Sequence, residues 1–243
     1  MPPSIAEIER ATLNAVPAPL VQFHGPLVLR AFHGGTGRAN CAQALAPEPV
    51  ADPAALLARI AAFHGARGLR PRLRSLPLDP SGLEEAAAAA GWRPFDESLV
   101  LCGELAPMAA PDSAVEVLPA PDARWMDVVG SADYQTAARR REKAEGAALM
   151  TIPAAWLLLE DAACIFVAVD GPLCGMFDLA VRPAARRRGL ARRIMGAAAA
   201  WGLAHGAGWK FSQVSAANAA SLALNFAQGM RESHRYRYWS PPA

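Results

Sequence analysis

Sliding this sequence along itself by 138 positions lays Phe63 on Trp201, Gly68 on Gly206, Gly91 on Gly229, Arg93 on Arg231 and Leu101 on Trp239, without a gap. A self-match of that kind means one structural unit used twice, so the chain is constrained to fold as two related halves. In the first half the repeated part reads as a helix over 52–65, with Asp52 capping Pro53 at the first helical position, and a strand over 72–76. A helix over 81–90, closed by Gly91, and a strand over 95–102 complete it. The second half repeats that order: an Ala-rich helix reaching about Trp201, a strand over 209–214, a helix over 219–228 and a strand over 234–239.

Ahead of the first repeated part, Ser4 and Glu7 form a capping box for an opening helix over 4–15. Two β-rich runs, 20–23 and 27–32, then read as a hairpin. Gly34-Gly-Thr-Gly-Arg38 lacks both the Lys-Ser/Thr of a phosphate loop and the spacing of a dinucleotide fingerprint, so it reads as a turn after a strand. Pro and Ala crowd residues 105–113, which predicts a linker over 106–113 between domains of residues 1–105 and 114–243. The second half opens with a strand over 115–118, helices over 122–129 and 136–149, and strands over 155–160 and 164–169. Arg139-Arg-Arg-Glu-Lys143 reads as a solvated helix face, or else as an attractor for an anionic ligand.

The stretch from Gly175 to Met195 carries the chemistry. A strand through Val181 breaks at Pro183, passes Arg186, Arg187 and Arg188, and re-emerges after Gly189 as a helix. The first N–H groups of a helix lack intrahelical acceptors and carry the positive end of its dipole, so with three arginines ahead of it this junction suits a diphosphate. Elsewhere the charge is close to balanced: 24 Lys and Arg against 22 Asp and Glu leave a net +2, which calls for neither nucleic acid nor an anionic membrane. No apolar run approaches a membrane span, the N-terminus does not read as a signal peptide, and the chain reads as cytoplasmic. Cys41, Cys102, Cys164 and Cys174 show no paired spacing, His24, His33 and His64 no ligand spacing, and no metal site is expected.

Arg186-x-x-Gly189-x-Ala191, preceded by Leu179-Ala-Val181, resembles the acyl-CoA motif of the GNAT superfamily of N-acetyltransferases. Gln213-Val214, Asn218-x-x-Ser221-x-x-Leu224 and Gly229 follow at the family's spacing, and the resemblance covers roughly residues 112 to 240. It implies an α/β (α+β) GNAT fold, a mixed, mostly antiparallel central sheet flanked by helices, preceded here by a partial GNAT-like unit. At the position matching Gly189 that unit has Ala51 and no arginine cluster, so it is not expected to bind CoA.

The resemblance further implies acetyl-CoA as cosubstrate. Its pantetheine arm would pair with Leu179, Ala180 and Val181, and its diphosphate would meet backbone N–H groups at Arg187, Arg188, Gly189, Leu190, Ala191 and Arg192, with Arg186 opening the motif. Asn218 would stand near the pantetheine. The implied reaction is direct attack of a small-molecule or peptide amine on the thioester, in a monomer or homodimer. Two departures stand out: the family's general-acid tyrosine is replaced by Asn225, and the position of a catalytic glutamate in some members is Gly175. Asp178 or Glu160 could replace the base, and Tyr236 or Tyr238 the acid. A CoA-binding protein without catalysis is the alternative. A nucleic-acid or protein-binding module fits less well, because the arginines gather at one motif instead of along a face.

Overall fold

The computed structural model describes residues 1–132 and 134–242. The first half runs α1 (Ile5–Ala15), β1 (Leu20–His24), β2 (Leu27–Ala31), β3 (Ala42–Ala44), α2 (Pro53–Gly65), β4 (Leu73–Ser75), α3 (Leu83–Ala89) and β5 (Arg93–Glu104). The second runs β6 (Val115–Leu118), α4 (Ala123–Gly130), α5 (Ala137–Gly146), β7 (Ala154–Leu159), β8 (Ala163–Asp170), β9 (Leu173–Val181), α6 (Leu190–Ala204), β10 (Trp209–Ser215), α7 (Ala219–Ala227) and β11 (Arg231–Ser240). The strands form one sheet in the order β1-β2-β3-β4-β11-β5-β10-β9-β8-β7-β6. Neighbours are antiparallel except β3 with β4 and β9 with β10, the same junction in each half.

That order contains an exchange. β5 closes the first repeat in sequence, yet it pairs with β10 of the second half over Trp209↔Glu104 to Ser215↔Ser98. β11 closes the second repeat and pairs with β4 of the first, over Arg237↔Ser75 to Trp239↔Leu73. β5 and β11 also pair with each other, so the two halves share a continuous sheet. Residues 106–113, which include a single 3-10 turn at Ala106–Met108, connect β5 to β6.

Alternating side chains of the second-half strands bury both faces of the sheet, as a strand's period of two dictates. Leu157, Ile165 and Val167 meet α6 residues such as Ile194 and Ala198 on one face. Trp156, Phe166 and Phe177 share the opposite core with Ile8 of α1, Ile60 of α2 and Trp125 of α4.

The exchange is tied by a buried ionic cluster. Glu9 on α1 accepts from Arg74 Nη2 on β4 at 3.0 Å and pairs with His234 Nε2 on β11 at 2.8 Å; all three side chains are buried. Gln43 on β3 also donates to Glu9, at 3.0 Å. Burial acts to raise the Glu9 carboxyl, but the charge of Arg74 and the bonds from His234 and Arg74 outweigh it and hold the group at about 2.

Candidate active site

β9 and β10 pair only from Trp209↔Leu173 to Phe211↔Gly175 and then part. A bulge in β9 accompanies the divergence. Cys164 of β8 faces Ala180 while Phe166 faces Phe177, so β9 carries one residue more than its neighbour over that span, and Asp178 takes a left-handed φ of 56°. Such an insertion bends the strand and re-aims a side chain. Between the parted strands opens a cavity of about 750 Å³. Asp178, Leu179, Gln213, Asn218, Asn225 and Tyr236 line it from the second half, and Thr36, Arg38, Arg72, Phe95 and Ser98 from the first.

At the closed end of the gap, Gly175 lies against aromatic rings. A Cβ there would sit 2.5 Å from Phe177 Cε2 and 2.8 Å from Phe211 Cζ, so the position has no room for a carboxylate. Gly175→Ala is expected to cost about 1–3 kcal/mol through overpacking, measured as a lower denaturation midpoint.

The basic junction begins α6, and Met195 of that helix lines the cavity, whereas residues 186–192 are not among its lining residues. After a 3-10 turn at Pro183–Ala185, Arg187 and Gly189 take left-handed φ values of 65° and 80° and turn the chain into α6. The N–H of Arg193 donates to Gly189 O at 3.1 Å, whereas those of residues 187 to 192 show no backbone acceptor outside the helix. No side chain caps this helix, and nothing would lie within 4 Å of a Cβ on Gly189. Open donors of this kind at a helix start suit an anionic group. In the first half the equivalent helix start is filled: the Asp52 carboxylate accepts from Ala55 N at 3.0 Å. Of the arginines, Arg188 pairs with Glu160 at 3.2 Å and Arg186 Nε donates weakly to Val181 O at 3.4 Å. Arg187 and Arg192 are exposed and have no acid partner among the described residues.

The candidate acids and bases sit in different surroundings. Glu160 pairs with Arg188 and, at 2.7 Å, with Arg193, and it is not among the cavity-lining residues. Asp178 faces the cavity with Oδ2 2.5 Å from Lys143 Nζ. Asn225 is buried and accepts from Lys210 Nζ at 3.0 Å while its amide donates to Ser221 O at 2.8 Å. Lys210 is wholly buried with, among the described residues, only Asn225 and Gln228 oxygens as side-chain acceptors, and burial pushes its ammonium down to about 7. A tyrosine at position 225 would remove one of those two acceptors. Asn218 caps α7 by accepting from Ser221 N at 3.0 Å.

Tyr236 lines the cavity, and its hydroxyl lies 3.4 Å from Gln213 Oε1. Burial would raise this phenol, but Arg38 and Arg74 outweigh it and hold it below the ordinary tyrosine range. Tyr238 is raised, by burial first and then by Tyr236. Two tyrosines, Tyr134 and Tyr236, line the cavity beside Tyr238. Trp125, Trp156 and Trp239 belong to the buried core.

The first half's share of this site is the part that sequence reasoning missed. The turn Gly34–Arg38 wraps the Glu142 carboxylate of α5, which accepts from His33 N at 3.0 Å, Gly35 N at 2.9 Å and Thr36 N at 2.5 Å. Asn40 Nδ2 adds a fourth bond at 2.8 Å. Glu142 is buried, and Arg139 and Lys143, one helical turn apart, line the cavity. The remainder of the basic cluster behaves as a solvated face: exposed Arg141 pairs with Glu145 at 2.6 Å. The helical spacing of residues 139, 142 and 143 was the available signal.

Among the described residues no group of three or more His, Cys, Asp or Glu is placed to hold a metal ion, and no helix is long and apolar enough to cross a membrane.

A mostly antiparallel sheet whose two parallel strands part beside an arginine-rich helix start defines the GNAT class of acetyltransferases. The family model described as "Probable histone acetyltransferase Rv0428c C-terminal" matches residues 3–239, and the chain belongs to that family. No curated protein matches the sequence. Among solved structures it is similar to a GCN5-related N-acetyltransferase from Kribbella flavida, with TM-score 0.71 at 17% identity over 99% of this chain and 96% of that one. A functionally unknown conserved protein from Staphylococcus epidermidis gives TM-score 0.67 at 9% identity, over 97% of this chain and 100% of that one. A tandem GNAT protein from the clavulanic acid biosynthesis pathway gives 0.61 at 14% identity, over 97% and 88%. At these identities the likeness speaks for the fold alone.

Proposed function

We propose that the protein is an N-acyltransferase that moves an acetyl group from acetyl-CoA to a primary amine within a ternary complex. The observation that carries this reading is the cavity between the parted β9 and β10, with titratable groups on its wall, together with the unfilled N–H array at the start of α6. The array and Arg187 would hold the diphosphate, and Leu179, Ala180 and Val181 the pantetheine arm, with the amide nitrogen of Asn218 still available to it. The acceptor's ammonium gives its proton to Asp178, directly or through water. The free amine then attacks the thioester carbonyl, the tetrahedral adduct gives its second nitrogen proton to water, the C–S bond breaks to leave the amide, and Tyr236 protonates the departing thiolate and is reprotonated from solvent.

Two observations favour a second reading, a CoA-binding protein without catalysis: Gly175 leaves no room for a carboxylate, and the Asn225 oxygen is engaged by Lys210. Calorimetric titration with acetyl-CoA tests both, and both fail if no binding is seen. Thiol release over a panel of primary amines then separates them. Turnover establishes the transferase, whereas binding without turnover of any amine leaves the second reading.

A further inference from the structure

The first half's contribution to the cavity is positively charged and short of acceptors. Arg38 is delivered by the turn wrapped around Glu142, so its position is fixed by four hydrogen bonds to a buried carboxylate. Its Nη1 donates to Gln213 Oε1 at 3.1 Å, while its Nε is buried without a partner among the described residues. Arg72 Nη1 is likewise buried without a partner among them. Tyr238 links the two: Arg72 lies over its ring at 5.5 Å from the centroid, and its hydroxyl oxygen lies 2.6 Å from where a Cβ on Gly37 would stand, next to Arg38.

The charges lining the cavity do not balance. Asp178 is taken by Lys143, and Asp96 stands exposed at the rim. Arg38, Arg72 and Arg139 have no carboxylate partner among the described residues. Buried donors are ordinarily satisfied, and an unpaired guanidinium is among the costliest groups to leave open. A guanidinium fork also matches a carboxylate in shape.

Resting on the transferase reading above, we propose that Arg38, with Arg72 across the Tyr238 ring, holds a carboxylate of the acceptor. The acceptor is then an amino acid or a similarly small carboxylated amine, and the first half is its specificity element. A lysine-rich tail would bring more positive charge to a wall that already has an excess of it.

The test compares amines with and without the carboxylate: L-lysine against cadaverine, L-arginine against agmatine, and L-tyrosine against tyramine. In the wild type at least one acid is expected to exceed its decarboxylated partner in kcat/KM by about tenfold or more, and Arg38→Ala to lower that value about 10- to 100-fold, mainly through KM. The same variant should change acetyl-CoA affinity by less than about threefold; through Tyr236 it lowers turnover of acid and decarboxylated amine by a shared factor, and the acid should lose at least about tenfold more than its amine, part of which Arg38→Lys recovers. A merely structural Arg38 would depress acid and amine alike, which overturns the proposal, as would faster acetylation of a lysine-rich histone-tail peptide than of any of the acids. If no amine is turned over, the transferase reading fails and calorimetry on the CoA-loaded protein decides this one. An acid binding at least about tenfold tighter than its amine, lost in Arg38→Ala, upholds it; equal or absent binding overturns it.

Discussion

Glu9→Gln is expected to destabilise the protein by on the order of 3 kcal/mol, because it leaves Arg74 charged and buried without its counter-ion. Denaturant unfolding at neutral pH measures the loss. The pH dependence supplies an independent check. The Glu9 carboxyl lies at about 2 in the folded protein against an ordinary 4.5, so its folded value is depressed. The stability it contributes is therefore fully present above about pH 4.5 and is lost as the pH falls toward 2. The wild-type and Glu9→Gln curves should converge over that window. Parallel curves would show that the cluster does not hold the exchanged strands.

Gly189→Glu should weaken acetyl-CoA binding at least 100-fold in calorimetric titration. It places a carboxylate against the open N–H groups of α6, where the diphosphate would lie, and forces a side chain into a φ of 80°. Gly189→Ala separates the two effects. It carries the same backbone strain, about 1 kcal/mol, without the charge, and should lose tenfold or less. Equal affinity in wild type and Gly189→Glu would move the diphosphate away from this junction.

The repeat was legible because its marker residues are set by local backbone geometry. Gly91 and Gly229 take φ values of 78° and 79°, and the 138-residue offset carries α2, β4, α3 and β5 onto α6, β10, α7 and β11. Arg186 to Ala191 was legible for the same reason, since a strand, a turn and a helix start are local features. The exchange of β5 and β11 was not. Two strands that match in sequence fit either half's fifth strand equally well, so no residue pattern states which pairing is made. The role of Gly34–Arg38 was hidden too. The residue that shapes that turn, Glu142, lies more than a hundred positions away, inside a segment whose composition suggests only solvent exposure. Asn225 was legible as a departure from the family, but its engagement with buried Lys210 depends on β10 and α7 being packed together.

The exchange also bears on how the chain is made. During synthesis β4 emerges long before β11, its neighbour in the finished sheet, and until Arg231–Ser240 has been translated the β4 edge is either open or borrowed by β5. β5 meanwhile waits for β10 across more than a hundred residues. The half that appears first is thus completed last, by pairings of the long-range kind that close slowly. Cutting the gene between the halves would leave each fragment carrying a strand that belongs to the other.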